Sequence, residues 1–419
     1  MDLSIILPTY NEESNIKDLI IQVKTILKNI KMSYEIIVID ANSKDNTQKN
    51  ARELGAKVII QKNPGYGSAL KEGFEIAQGD YILTMDSDLS HDPKWITTLW
   101  KNRESADILI ASRFVRGGKT DTSLFRKILS LILNNTFAIA LSTPFKDLSI
   151  GYRLYKKNVI QEIKIIGHDF NVLQEILIRS YSSGFIIKEI PVHVKKRKEG
   201  KSKLQLFKFG ISYLKSLFRL WKLRTSIESA DYDSRAYYSK IPLQRYWHRK
   251  RYKIIMKFLN HEKNILDIGC GTSKIIQNLP TATALDLRFN RLRFLKKTNR
   301  YLINGDVNNL PFKDKSYKVI IFSNVLEHLE NDQKALKEIN RVLKNNSILI
   351  LNTPDYGTLM WRIIEFFYTK IISQGGHCHE HKNKYTYKKL RDRLLKDGFK
   401  IIDHKYIFGS ELAVKCIKI

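Results

Sequence analysis

Asp86 and Asp88 stand one residue apart in the stretch Tyr81-Ile82-Leu83-Thr84-Met85-Asp86-Ser87-Asp88. Two hard oxygen ligands at that spacing can hold Mg²⁺ or Mn²⁺, ions that keep several waters and share them with substrate phosphates. The residues before them are apolar and β-prone, so the pair falls at the end of a strand, where ligand sites of open α/β sheets form. An isolated Asp-x-Asp is also an ordinary polar turn, and the surroundings must decide. A second chemical signal lies downstream. Asn264-Ile265-Leu266-Asp267-Ile268-Gly269-Cys270-Gly271 runs a strand into a glycine turn, and Asp286 follows Asp267 by 19 residues. An acid at that distance suits ribose hydroxyls. A third signal, His377-Cys378-His379-Glu380-His381, packs metal-ligand types into five residues, an awkward arrangement for one tetrahedral ion.

The elements that carry these residues alternate. Residues 3–7 read as a strand, 14–30 as an amphipathic helix and 35–39 as a second strand ending at Asp40. Runs such as Val58-Ile59-Ile60 and Ile108-Leu109-Ile110 continue the pattern, which predicts α/β structure with a mostly parallel, doubly covered sheet. Pro8-Thr9-Tyr10-Asn11-Glu12 and Asp40 should then meet Asp86 and Asp88 along one sheet edge. At 419 residues the chain is long for one core, so two domains are expected.

Seventy-two Lys and Arg against 42 Asp and Glu give a net charge of +30, which favours phosphate-bearing partners. Three scattered cysteines, Cys270, Cys378 and Cys416, do not make a disulfide framework and point to a reducing compartment. No signal peptide is read before the first strand, and the uncharged run 128–145 contains Asn134, Asn135 and Pro144, which suit a membrane-spanning helix poorly. The expected location is cytoplasmic, peripheral on the inner membrane surface. Residues 195–224 hold eleven Lys or Arg and one acid. Lys208, Ser212, Lys215, Arg219 and Lys222 recur at helical spacing, with Phe207, Ile211, Leu214, Leu217, Phe218 and Trp221 on a broad apolar face. Such a helix fits in-plane docking on an anionic bilayer, while packing on its own domain is the alternative. No nucleic-acid motif accompanies the charge, so no nucleic-acid partner is expected.

Taken together, Pro8-Thr9-Tyr10-Asn11-Glu12, Asp40, Gly65-Tyr66-Gly67-Ser68-Ala69, the motif from Asp86 to Pro93, Ser112-Arg113, Asp147 to Arg153 and Arg197 to Lys203 resemble family 2 glycosyltransferases of the dolichol-phosphate mannosyltransferase type. The resemblance covers residues 1–223. It implies a glycosyltransferase A-type fold in which Pro8, Tyr10, Glu12 and Asp40 hold the nucleoside. It further implies that Asp86, Asp88 and Ser90 hold Mg²⁺ or Mn²⁺, and that Arg197, Ser202 and Lys203 close over the donor diphosphate. Arg113, Arg126 and Ser130 match positions for the acceptor phosphate, and Asp147 is the expected acid or base. The implied partners are a nucleotide sugar and a dolichyl or polyprenyl phosphate. Ala41, Asn46 and Ser149-Ile150 depart from the usual pattern and leave base and sugar open. A hydroxyl acceptor on a glycan or lipid-linked sugar, and a membrane scaffold with an inactive nucleotide site, are the alternatives.

After a linker expected at 224–236, residues 237–419 resemble class I methyltransferases, on the glycine turn followed in order by Asn304-Gly305-Asp306-Val307, Leu310-Pro311-Phe312 and Phe322 to Leu329. This implies S-adenosylmethionine, with Asp267, Gly269 and Gly271 at its methionine portion, Asp286 on the ribose, Asp306 and Val307 beside adenine, and Asn324 and Glu327 lining the floor. It also places a histidine-bearing loop near the acceptor, so that His377, His379 or His381 could take a proton or simply brace the loop. The whole then reads as two Rossmann-like α/β domains joined by a basic amphipathic helix and linker.

Overall fold

A computed structural model describes residues 1–196, 206–299, 301–367 and 381–419, and divides the chain into residues 1–229 and 230–419. In the first unit the strands are β1 (Leu3–Thr9), β2 (Tyr34–Asp40), β3 (Lys57–Ile60), β4 (Tyr81–Thr84), β5 (Ile108–Ser112), β6 (Lys119–Thr120), β7 (Arg153–Lys156), β8 (Ile187–Pro191) and β9 (His193–Val194). Seven of them form one sheet in the order β3-β2-β1-β4-β7-β5-β8, and β6 pairs with β9. All neighbours in the large sheet are parallel except β7, which runs antiparallel between β4 and β5. The near-continuous apolar runs Ile5-Ile6-Leu7 and Ile36-Ile37-Val38-Ile39 are buried, as expected of strands covered on both faces. Helix Glu13–Ile30 covers one of those faces with Ile16, Leu19, Ile20, Val23 and Leu27, which share a stripe at helical spacing.

The second unit carries β10 (Ile265–Ile268), β11 (Thr283–Asp286), β12 (Tyr301–Asn304), β13 (Tyr317–Ser323), β14 (Leu343–Pro354), β15 (Phe399–Ile407) and β16 (Glu411–Lys418). Their order is β12-β11-β10-β13-β14-β16-β15. The first five are parallel and β16 is antiparallel to both its neighbours. The order reverses at β10, between the crossovers to β11 and to β13, which is where such sheets open a ligand crevice.

Residues 224–236, expected as a linker, are built into the two units. Arg224 is fully buried in the first, where its guanidinium donates to Leu141 O, Ser142 O and Ser229 Oγ. In the second, helix Tyr232–Tyr237 places Asp233 against the glycine turn, its Oδ2 accepting from Thr272 N at 3.1 Å. Polar and aromatic composition read as linker because these hydrogen bonds are made to residues far along the chain.

Helix Leu206–Thr225 also differs from the expected single apolar face. Leu220 and Ser216 are buried, and Tyr213 and Leu217 pack on the first unit's core. Leu214, Phe218 and Trp221 face outward, with Lys222 over the Phe218 ring. The side chains of Phe207, Lys208 and Ile211 lie outside the described residues. The helix is therefore apolar on two sides, one docked and one exposed. Its docking is fixed by Glu175, fully buried on helix Val172–Ser182, which accepts from Gly167 N at 2.7 Å, Arg179 Nε at 2.7 Å and Arg219 Nη2 at 2.9 Å. Glu175→Ala leaves two arginines facing a cavity, and a loss of about 3 kcal/mol in the stability of the first unit is expected, in the range for breaking a buried ion pair. Chemical denaturation followed by tryptophan fluorescence measures it, and a loss below about 0.5 kcal/mol would show that Glu175 is not the clamp.

Candidate functional sites

In the first unit the ends of β1, β2 and β4 meet at one edge, as their parallel registers require: Thr9 stands beside Asp40, and Ile6 beside Thr84. Asp40 is fully buried, and its carboxylate accepts from Ser43 N and Gln48 Nε2, both at 2.8 Å, and from Ser43 Oγ at 2.6 Å. It thus shapes the loop after β2. Ser43 Oγ in turn accepts from Asn11 N, which ties that loop to the one after β1. Glu12 is buried and accepts from Asn15 Nδ2, while Tyr10 is exposed at the rim beyond Pro8.

Asp86 is half-exposed at the end of β4. Tyr66 donates to its Oδ1 at 3.1 Å, and its backbone N–H donates to His91 Nδ1 at 3.0 Å. Asp88 Oδ1 accepts from Ser90 N and Ser90 Oγ, and Leu89, at φ 62, supplies the left-handed turn between them. The set is all oxygen: two carboxylates and a hydroxyl, the donor chemistry that suits Mg²⁺ or Mn²⁺. Lys195 binds beside it, its backbone N–H donating to Ser90 O at 3.0 Å and its ammonium pairing with Asp92 at 2.8 Å. Arg197, Ser202 and Lys203 lie outside the described residues.

Arg113 follows β5 and forms a two-pronged pair with Asp147, Nε to Oδ2 at 2.8 Å and Nη2 to Oδ1 at 2.7 Å, with its backbone N–H on Oδ2 as well. Asp147 is 0% exposed, and its own N–H is held by Glu189. The geometry departs from the expectation of an acid or base at this position: both oxygens are occupied by a permanently charged guanidinium, so Asp147 orients Arg113 instead. Arg113 Nη2 also donates to Ser149 Oγ, which accepts from Asn134 Nδ2 at 3.2 Å. Arg126, Ser130 and Asn134 are spaced by four on helix Leu124–Ala140 and so share one face, which leads from solvent-exposed Arg126 to the Arg113 cluster.

Residues 147–151 connect the two groups. Asp147 and Ser149 hold Arg113 at one end; at the other, Thr84 Oγ1 donates to Gly151 O, and a Cβ on Gly151 would press on the Tyr66 hydroxyl and Asp86. Beneath the loop, buried Arg153 donates to Leu148 O and Leu173 O, both at 2.7 Å. Glu189 and Gln48 were not singled out from sequence, and Arg153 entered only as the end of the motif from Asp147, since nothing local marks their partners.

In the second unit Gly269 and Gly271 both adopt positive φ, 64° and 54°, where a side chain would be strained. A Cβ at Gly269 would strike the Val325 side chain, and one at Gly271 would strike the Asp233 carboxylate. Gly271 N donates to Asp286 Oδ2 at 2.9 Å, and Arg288 N to Asp286 Oδ1 at 2.8 Å. Asp267 is buried beside them; burial first, then the nearby Asp286 and Asp233, push its carboxyl well above the usual range. Val307 is buried, whereas Asp306 is exposed and accepts from Asn308 N and Nδ2. Asn324, at φ 55, is fixed by its N–H on Asn352 O at 2.9 Å. Glu327 is buried in the turn Leu326–His328, and burial pushes it up to about 8. Sequence reasoning missed the network beside it. Arg251 grips Glu411 with Nε and Nη2, both at 2.7 Å, and Trp247 and Asn352 also donate to Glu411. Burial works against this carboxylate, yet Arg251 holds it below its ordinary value. His377, Cys378, His379 and Glu380 lie outside the described residues.

Residues 4–164 match the glycosyl transferase family 2 profile, and residues 266–351 match a methyltransferase domain. Dolichol-phosphate mannosyltransferase of Pyrococcus furiosus is 34% identical over 237 residues, 54% of this chain and 66% of that protein. Undecaprenyl-phosphate 4-deoxy-4-formamido-L-arabinose transferase of Proteus mirabilis is 28% identical over 235 residues, 54% of this chain and 68% of that protein. The chain thus spans about two thirds of the length of these curated relatives. Among solved structures, a SAM-dependent methyltransferase from Thermotoga maritima aligns with 42% of this chain and 92% of its own at 20% identity and a TM-score of 0.37, too low to carry an argument.

A methyltransferase domain implies S-adenosylmethionine, and the residues present fit it: a glycine turn with no room for side chains, bordered by Asp267 and Asp286. Gly271→Ala would drive a methyl group into Asp233, so its affinity for S-adenosylmethionine is expected to fall more than about tenfold, equivalent to about 1.4 kcal/mol. Titration calorimetry on the full chain reads this, and unchanged affinity would place the donor elsewhere.

Proposed function

We propose that this chain, a family 2 glycosyltransferase domain followed by a methyltransferase domain, transfers a sugar from a nucleotide sugar to a polyprenyl phosphate in a metal-dependent reaction and also methylates an acceptor. The observation that carries the first half is the loop 147–151, which ties the arginine pair at Asp147 to the metal-type carboxylate Asp86 within five residues. Donor diphosphate and acceptor phosphate would therefore lie within reach of each other. Pro8, Tyr10, Glu12 and Asp40 border the nucleoside end, with Asp40 acting through the loop it braces.

A divalent ion held by Asp86 and Asp88 would neutralise charge gathering on the departing diphosphate. Arg113 uses three of its five N–H directions on Asp147 and Ser149, and Nη1 makes no hydrogen bond to a described residue. Together with Arg126 and Ser130 it would hold the acceptor phosphate by its oxygens. A phosphomonoester is already anionic at neutral pH and needs no base. The saturation of Asp147 by Arg113 agrees with such an acceptor better than with a hydroxyl, which would need its proton removed.

A lipid acceptor calls for a membrane face. Leu124, Phe125, Ile128, Leu129 and Ile132 on one helix and Leu214, Phe218 and Trp221 on the other are exposed, the second helix within the basic segment 195–224. No described helix is long and apolar enough to cross a membrane. We read these helices as lying in the plane of an anionic surface, where each nearby Lys or Arg adds about 1 kcal/mol.

Two measurements test the proposal. With Mn²⁺, labelled nucleotide sugars and dolichyl phosphate, Asp88→Ala is expected to lower turnover at least about 100-fold, the scale of removing a principal charge-stabilising group; turnover that survives would remove the metal from the mechanism. In vesicle sedimentation, Phe218→Glu with Trp221→Glu should abolish binding to phosphatidylserine-containing liposomes, because the variant puts two charges where apolar side chains enter the interface. Undiminished binding would mean that this helix is not the membrane face.

A further inference from the structure

Glu327 is 1% exposed, and neither carboxylate oxygen has a hydrogen-bond partner among the described residues. A carboxyl buried in that state either keeps its proton or needs something cationic beside it. Two imidazoles stand within reach. One ligand atom from each of Glu327, His328 and His381 can be chosen so that all lie within 4.8 Å of one another. The nearby guanidinium of Arg251 is already committed to Glu411.

The histidines are held there. Lys382 N and Asn383 N donate to Glu327 O at 2.8 and 3.0 Å, and Asn383 Nδ2 donates to Leu329 O at 2.7 Å. These bonds seat His381 over the turn Leu326–His328, its ring centroid 4.8 Å from that of His328. Tyr356 OH meets His381 Nδ1 at 2.7 Å and orients the ring. An outer hydrogen bond of this kind is the usual means of fixing a metal-binding imidazole.

We propose that Glu327, His328 and His381 bind a zinc-class divalent cation that presents a hydroxyl oxygen of the acceptor for methylation. Tetrahedral ligands at zinc bond lengths stand roughly 3.3 Å apart, so the three atoms need to close by at most about 1.5 Å. Two His and one Glu leave the fourth position open, as catalytic zinc sites do. Val325, two residues before Glu327, packs on Gly269, so the site lies at the same strand ends as the glycine turn. The proposal rests on the methyltransferase reading and names its acceptor class as an alcohol or diol. An amine attacks with its own lone pair, whereas a hydroxyl must lose a proton. In the step, the acceptor O–H proton leaves to water, the oxygen lone pair forms the bond to the methyl carbon, and the carbon–sulfur bond of the sulfonium breaks. Its electrons return to sulfur, giving a neutral thioether and a methyl ether.

The test uses the full chain carrying Asp88→Ala, which removes the metal carboxylate of the first unit. After equilibration with Zn²⁺ and dialysis, one zinc per chain is expected. Replacement by Co²⁺ should give the visible absorption of nitrogen ligation. His328→Ala and His381→Ala should each weaken zinc more than about 100-fold, beyond the loss from an outer partner alone, with S-adenosylmethionine binding unchanged. Where either alanine variant loses S-adenosylmethionine binding, His328→Gln and His381→Gln decide in its place. No zinc in the Asp88→Ala chain, or zinc kept at parental affinity by both histidine variants, overturns the site. Failure of the parent to bind S-adenosylmethionine would instead overturn the methyltransferase reading, and the zinc measurement stands apart from it.

Discussion

The pair between Arg113 and Asp147 governs the first unit. A carboxylate at 0% exposure is tolerable only because a guanidinium meets it squarely, and each residue is unstable without the other. Glu189 and Ser149 complete the arrangement by holding Asp147 N and Arg113 Nη2. The loop from Asp147 to Gly151 therefore has little freedom, and the end of β4, which it touches through Thr84 and beside Asp86, inherits that rigidity. Electrostatic stabilisation of a departing diphosphate works best with groups that do not have to reorganise, and in the proposed reaction this network would provide them.

The second unit solves a similar problem with opposite signs. Asp233, Asp267 and Asp286 gather around a turn with two glycines at positive φ, and their mutual repulsion is part of what drives Asp267 upward. A cationic ligand relieves that repulsion. Arg291, 3.5 Å from Asp286, relieves part of it within the protein.

Much of this could be read from the chain alone. Apolar runs ending in an acid located the strand ends near Asp40, Asp86 and Asp286, and the Gly269-x-Gly271 turn was evident from the order of residues. The antiparallel insertion of β7 was not, because Arg153-Leu154-Tyr155 carries no mark of direction. Nor were the partners of buried charges: Arg113 finds Asp147 34 residues away, and Arg251 finds Glu411 160 residues away. Periodicity likewise made one broad face of the helix at 206–225, since a helix apolar on two sides looks the same whether one side or both are covered.

The position of β16 bears on how the protein is made. It lies between β14 and β15, hydrogen-bonded along both edges, although it comprises residues 411–418. During synthesis the nascent second unit exposes the edge of β14, with apolar Ile348 to Leu351, until those residues leave the ribosome. Open apolar edges of that kind invite pairing with other chains. The first unit, whose strands are all complete by Val194, is free to fold before then. Truncation before β16 would thus be felt as aggregation of the second unit, with the first left folded beside it.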